Sequence, residues 1–531
     1  MKAVLQWAML AGALALLNAS LTFENVWPTL SVQWNAALSI EVALCVLGLA
    51  AAVRRFSAPP PVAVRILAAI WVVLVIGRYE DVTSRSLYGR DINLYWDLRN
   101  LPSVGGMLSS VAKPWLVAAT IAGVSLVPLI ISLPFWWAFR CITNASKDPR
   151  VRHALTAVAG GVLVVGVVQA LGVPVPRNLR IVEPVTGVYA RQARQLIYEI
   201  SGAGLRVLPP APTMRSNLGL VRGADVLLLV VESYGAVSWD RPALVEALAA
   251  SRTRLDTDIR DTGRRVVSAL VESTTFGGKS WLAHVSLLSG TEVRDEQTSV
   301  RLMSQRRETM VNAFSRQGYR TVAIMPGVRA AWPEGAFYGF DEIYDVARLG
   351  YEGPSFGWWD ITDQFALARM DALEIASHTR QPVFVFFPTI STHTPFTPAP
   401  PYQPDWSRIL TPTPYDDEDL ARAWAQEPDW FNLGPSYAQA LDYFYASLGG
   451  YLRLRADRDF VMVLIGDHQP PAMVSGEGAT WDVPVHVVTN RAPVLDRLLQ
   501  RGFREGLRPS GPSAIKMNGL LPLLLDAFGD E

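Results

Sequence analysis

At 531 residues the chain is too long for one ordinary domain, so two or more units are expected. Its 48 basic and 48 acidic side chains cancel, which excludes a nucleic-acid-binding surface as the organising feature. Only two cysteines occur, Cys45 and Cys141, so everything beyond them has neither a disulfide nor a thiol to work with.

Five apolar segments, about 3–22, 36–53, 66–77, 115–139 and 154–173, dominate the first 175 residues. A membrane-crossing helix needs about 20 mostly apolar residues. Four segments satisfy this, and the third, LAAIWVVLVIG, is short but free of charge. Leu5–Leu17 also fits a cleaved signal sequence, with Lys2 ahead of it and Ala19-Ser20 behind. Four further spans require an orienting first helix, so an uncleaved span is expected.

Orientation follows from lysine and arginine. The loop after the second segment carries Arg54, Arg55 and Arg65, and that after the fourth carries Arg140, Lys147, Arg150 and Arg152, whereas ENVWPTLSVQWN after the first has neither residue type. With the N-terminus inside, five spans place everything past about residue 175 outside the cytoplasm. A multi-pass membrane protein with its N-terminus in the cytoplasm and a domain on the far side is expected. The third loop, 78–114, departs from the rule with Arg78, Arg85, Arg90, Arg99 and Lys113. Its Tyr79, Tyr88, Tyr95 and Trp96 read as an interfacial aromatic belt. The functional alternative is a lip for a lipid headgroup, with Arg90 and Trp96 as contacts.

A polar connector over 176–222 holds a helical pattern at Val188–Ile200 and a break at LPPAPT. Strand-like runs follow at Asp225–Glu232, Arg264–Glu272, Tyr319–Met325, Pro382–Ser391, Phe460–Asp467 and Val483–Thr489. Several are continuously apolar, as strands of a parallel sheet covered on both faces are. Helical patterns such as Arg241–Arg254, Glu308–Gln317 and Asp363–His378 lie between them. The alternation predicts an α/β domain over 223–531, its mostly parallel sheet covered by helices on both faces, with binding residues at the carboxyl ends of strands.

The stretch Ser273–Gly290, STTFGGKSWLAHVSLLSG, links one strand through two glycines to a helix opening at Lys279-Ser280. Such a turn aims backbone N–H groups and the positive helix end at one volume, an anion site. Ser280 reads either as a helix cap or, beside a metal, as an activated nucleophile. Thr274 and Thr275 are rival hydroxyls, but they precede the glycines. A P-loop is rejected, because glycine would have to stand at Ser273. Only five lysines occur in the chain, which draws attention to Lys279. Glu232, Ser280, His393, Asp467 and His468 each fall at or just past a strand end. A carboxylate pair, an imidazole and a hydroxyl suit one divalent ion, Zn²⁺ or Mn²⁺, with a second metal left open.

The phrases VVES (Glu232), GKS (Ser280) ahead of a helix ending LLSG, FYGFDEIYD at 337–345, WDITD at 359–363, STHTPF (His393) and GDH (Asp467, His468) resemble the sulfatase-like branch of the alkaline phosphatase superfamily. They are most similar to membrane-anchored lipoteichoic acid synthase and phosphoethanolamine transferase enzymes. That resemblance implies five spans ahead of an exported alkaline-phosphatase-like domain. It also implies Glu232, Ser280, Asp467 and His468 as ligands of one metal, with Ser280 as nucleophile where these transferases carry threonine. His393 is implied as an acid/base or substrate contact and Lys279 as a phosphate contact. Trp359 and Thr275 join Arg90 and Trp96 as candidate substrate contacts. A phospholipid donor and a cell-envelope acceptor, glycan or lipid, are the implied partners. A formylglycine sulfatase is disfavoured, because Ser280-Trp281-Leu282-Ala283-His284 lacks the required proline and arginine. The competing readings are a membrane-anchored hydrolase with water as acceptor and, from another class, a silent membrane scaffold.

Overall fold

The computed structural model describes all residues except 1, 27–28, 89–91, 112–113, 177–178, 202–207, 330–331, 358–359, 514 and 531. It forms two compact units, Met1–Gly204 and Leu205–Glu531.

The first unit is helical: α1 Lys2–Thr22, α2 Ile40–Phe56, α3 Pro61–Tyr88, α4 Leu94–Val111, α5 Pro114–Ala145, α6 Pro149–Ala170 and α7 Val185–Ser201. A two-residue ribbon pairs β1 Glu24–Asn25 with β2 Val32–Gln33. Among the described residues four helices are long and apolar enough to cross a membrane, α1, α3, α5 and α6. The expected count of five is therefore corrected to four. The segment at 36–53 becomes α2, whose 17 residues span about 26 Å at 1.5 Å per residue, less than the hydrocarbon core of about 30 Å. The third segment, short by sequence, runs 28 residues because the helix continues through its charges. Arg78 is buried and donates from Nε and Nη2 to the Phe23 carbonyl at 3.0 and 2.9 Å. Asp81 meets Arg85 at 3.1 Å and Arg191 at 3.2 Å. Much of the expected loop over 78–114 is thus the end of α3 and all of α4. Trp96 lies on α4, half-buried, its ring 5.0 Å from that of Tyr95 and beneath the Arg99 guanidinium at 4.8 Å. Arg90 lies outside the described residues.

The second unit is built on a sheet of nine strands: β3 Asp225–Val231, β4 Arg265–Glu272, β5 Arg320–Ile324, β6 Glu342–Tyr344, β7 Val383–Pro388, β8 Phe460–Gly466, β9 Asp482–Thr489, β10 Arg504–Glu505 and β11 Ile515–Lys516. The order is β10-β4-β9-β8-β3-β7-β5-β6, with β11 beside β4. From β8 to β6 every pairing is parallel. β9 is antiparallel to both β8 and β4, and β10 is antiparallel to β4. The sheet is mixed: mostly parallel, as expected, but with β9 and β10 reversed. The cause is local: between β8 and β9 stands only the four-residue helix Ala472–Ser475, so no crossover helix carries the chain back and the adjacent strand reverses. Because β9 is reversed relative to both neighbours, β4 and β8 point the same way. Their carboxyl ends, and that of β3, therefore share one edge.

Helices cover both faces, as expected. Alternate residues of β3 enter two separate cores: Leu227, Leu229 and Val231 pack with Phe365 and Leu441, while Val226, Leu228 and Val230 pack with Leu287 and Leu524. Both faces being apolar explains the unbroken hydrophobic run of β3, buried at all seven positions.

Candidate active site

Two strand ends and one helix start converge. Glu232 follows β3, Asp467 and His468 follow β8, and Ser280 opens the helix Ser280–Ser289 after β4. Ligand atoms of Glu232, Asp467 and His468 all lie within 4.8 Å of one another. Ser280 Oγ donates to Glu232 Oε2 at 2.9 Å and lies 3.3 Å from His468 Nε2. His468 Nε2 lies 3.4 Å from Glu232 Oε1 and 3.5 Å from Asp467 Oδ2.

The backbone around these groups is shaped to deliver them. The chain turns into the serine helix through Gly277, Gly278 and Lys279, all at positive φ (64°, 143° and 64°). Lys279 occupies the cap position and the helix has no side-chain cap. The Ser280 hydroxyl is thus not spent on capping the helix. Ser233 also sits at positive φ, 56°. That strained turn is pinned by Tyr437 Oη donating to Ser233 O at 2.8 Å and by Ser233 N donating to Asp467 Oδ1 at 2.8 Å. Asp467 Oδ1 accepts the His468 N–H as well, at 2.7 Å. Its other oxygen, Oδ2, is buried with no hydrogen-bond partner.

Electrostatically the cluster is short of positive charge. Burial pushes the Glu232 carboxyl up, but the nearby His468 and His393 and hydrogen bonding with Asp467 and Ser280 outweigh it and hold the group at about 2. Asp467, buried beside that charge, is pushed well above the ordinary carboxylate range. Burial also lowers His468, keeping its imidazole neutral. The Nδ1–H of that ring donates to the Gln469 carbonyl at 2.8 Å, since a carbonyl only accepts, and this leaves the Nε2 lone pair facing Glu232 and Asp467. A buried orphan carboxylate oxygen, a second ionised carboxylate and an oriented imidazole nitrogen make up a donor set for a divalent cation.

His393 stands on the loop after β7, close enough to influence the titration of Glu232 and His468. The Lys279 ammonium is turned to Glu296, at the start of the helix Glu296–Met303, in a nearly buried ion pair. The Thr275 hydroxyl donates to the Gly278 carbonyl and so braces the glycine turn. Trp359 lies outside the described residues, and Trp96 belongs to the first unit. Sequence reading passed over Asp363, Thr389 and Thr392, which hold the His393 loop. Their one sequence signal was that WDITD ends on a second carboxylate beside a helix start.

Residues 283–487 match the family model described as Sulfatase. The match lies wholly within the second unit. The matched span contains His393, Asp467 and His468, and begins three residues after Ser280. The similarity to that family points to phosphoryl or sulfuryl transfer or hydrolysis, and the four apolar helices among the described residues suit a membrane anchor by length and composition. No curated protein matches the chain. Among solved structures it is similar to the integral membrane lipooligosaccharide phosphoethanolamine transferase A of Neisseria meningitidis, at 13% identity over 88% of this chain and 85% of that one, TM-score 0.43. The lipoteichoic acid synthase LtaP of Listeria monocytogenes matches at 14% identity over 62% and 81%, TM-score 0.36. The Zn complex of the periplasmic domain of EcEptC from Escherichia coli matches at 13% over 61% and 87%, TM-score 0.38.

Proposed function

We propose that the protein is a metal-dependent transferase that moves a phospho-headgroup from a phospholipid to a cell-envelope glycan or lipid through a phospho-serine at Ser280. The protein is anchored in the bacterial inner membrane, with the catalytic unit on the side away from the cytoplasm. The observation that carries the reading is the buried, unpartnered Asp467 Oδ2 facing Glu232 and His468, with the Ser280 hydroxyl beside them.

Glu232, Asp467, His468 and the Ser280 hydroxyl would hold the ion. When bound, Zn²⁺ or Mn²⁺ supplies positive charge that acidifies a hydroxyl and polarises a phosphoryl oxygen. In the first step Ser280 Oγ forms a bond to phosphorus, and the bond from phosphorus to the lipid alcohol oxygen breaks. The serine proton has an acceptor in place, Glu232 Oε2 at 2.9 Å. The departing alkoxide takes a proton, for which His393 is the donor. In the second step an acceptor hydroxyl gives its proton to His393 while its oxygen attacks phosphorus. Ser280 Oγ then leaves and is reprotonated. Backbone N–H groups at the helix start face the charge on the equatorial oxygens.

The test is incubation of the detergent-solubilised, metal-loaded full chain with headgroup-labelled phospholipid and a crude envelope extract. Diacylglycerol together with label on a glycan or lipid is expected. Free labelled headgroup alone would make the enzyme a hydrolase instead, and no cleavage in either form would reject both.

A further inference from the structure

We infer that Asp363 is a positioning residue whose carboxylate clamps the turn carrying His393, and so fixes that imidazole relative to Glu232. The inference rests on the role of His393 proposed above, but the contacts themselves are independent of it.

Past β7 the chain makes a tight turn, Thr389–His393, closed by the His393 N–H donating to the Ile390 carbonyl at 3.0 Å. One side of the turn is tied to the Glu232 backbone. Glu232 N donates to Thr389 Oγ1 at 3.1 Å, and Thr392 Oγ1 donates to Glu232 O at 2.6 Å. The other side is held by Asp363 alone among the described side chains. Its Oδ1 accepts from Ile390 N at 2.8 Å and its Oδ2 from Ser391 N at 3.1 Å, while its own N–H donates to Ser391 Oγ at 3.1 Å. Only a group with two acceptor oxygens at fixed separation takes both adjacent N–H groups at once.

Asp363 opens the helix Asp363–Met370, where a carboxylate ordinarily serves its own helix. Here Thr362 is the cap, accepting from Phe365 N at 3.3 Å, and that frees Asp363 to face the neighbouring turn. The side chain is 0% exposed. Burial raises its carboxyl to about 6 in spite of the two N–H groups, so holding it ionised works against the fold. Such a group is retained for what it positions rather than for stability.

The experiment uses the Zn²⁺-loaded full chain in detergent, with bis(p-nitrophenyl) phosphate as substrate. Asp363→Asn keeps the shape but puts an amide against one of the two N–H groups. A fall in kcat of at least ten-fold is expected, with KM and Zn²⁺ affinity within two-fold and the thermal melt retained. Joined to His393→Ala, it is expected to cause little further loss, because both changes remove the same contribution. Full activity in the single variant, or losses that multiply in the double, would overturn the inference.

A second readout needs no turnover. Diethyl pyrocarbonate labelling of His393, followed by mass spectrometry against the exposed His378, is expected to quicken at least five-fold in Asp363→Asn. Thr392→Val, which cuts the clamp on its opposite side, is expected to do the same, and it serves if the first variant does not fold. An unchanged labelling rate in a folded variant overturns the inference. A wild type that cleaves no phosphodiester would instead strike the transferase reading, with the labelling still deciding this one.

Discussion

Each unit buries charged side chains, but only one cluster closes on itself. In the helical unit Asp81 is shared by Arg85 and Arg191, and Glu183 meets the same two arginines. Buried Glu41 accepts from Ser39 Oγ at 2.7 Å and Thr186 N at 3.2 Å, and Arg78 is spent on a carbonyl. Acid and base are matched, so this cluster holds helix ends together and asks for nothing further. In the α/β unit Glu232 and Asp467 face a neutral imidazole and a hydroxyl, and one carboxylate oxygen has no partner. Burying charge without a counter-charge is costly. The imbalance therefore singles out the second cluster as the candidate site, whereas burial alone would have singled out both.

Four substitutions can break or sharpen that contrast. The largest effect belongs to Ser280→Ala, which leaves both carboxylates in place but removes the attacking oxygen. Phosphodiester turnover should fall by about 10³-fold or more, on the order of 4 kcal/mol of barrier, with bound metal retained. Next is the pH dependence set by Asp363. Unfolded, this carboxyl ionises near 3.8, and folded near 6, so its favourable contribution is complete below pH 3.8 and is lost as pH rises through 6. Between pH 4 and 7 wild type should therefore lose up to about 3 kcal/mol of stability relative to Asp363→Asn, at 1.36 kcal/mol per unit. Paired denaturant melts measure it.

Metal linkage comes third. Saturating Zn²⁺ at about 100 times Kd should stabilise wild type by about 2.7 kcal/mol and leave the melt of Asp467→Asn unmoved. Affinity should weaken as pH falls, because Asp467 and His468 bind only when unprotonated, and calorimetry at two pH values reads the sign. The smallest effect is expected in the closed cluster. Arg78→Ala leaves the Phe23 carbonyl unpaired and should cost about 1–3 kcal/mol, with Zn²⁺ stoichiometry unchanged by elemental analysis. Lost metal in that variant would erase the distinction between the clusters.

The strand ends that carry the site were legible because an unbroken apolar run stops abruptly at a charge. Asp225–Glu232 and Phe460–Asp467, read from sequence, are β3 and β8 to within one residue. The reversal of β9 was not legible: its run is as apolar as those of the parallel strands, and only the missing crossover after His468 reverses it. The length of α3 was hidden because Arg78 and Asp81 look like a loop until their partners are seen. Those partners, Phe23 and Arg191, lie 55 and 110 residues away. Asp363 was missed for the same reason. Its hydrogen bonds reach 27 and 28 residues along the chain, and no local pattern distinguishes it from an ordinary helix-start acid.

Mass spectrometry of the metal-loaded protein quenched during reaction with a phospholipid donor tests the central claim most directly. A phospho-headgroup adduct on the peptide containing Ser280, absent from Ser280→Ala and from Asp467→Asn, is the predicted result. An adduct on Thr274 or Thr275, or turnover by the Ser280→Ala protein, would contradict it.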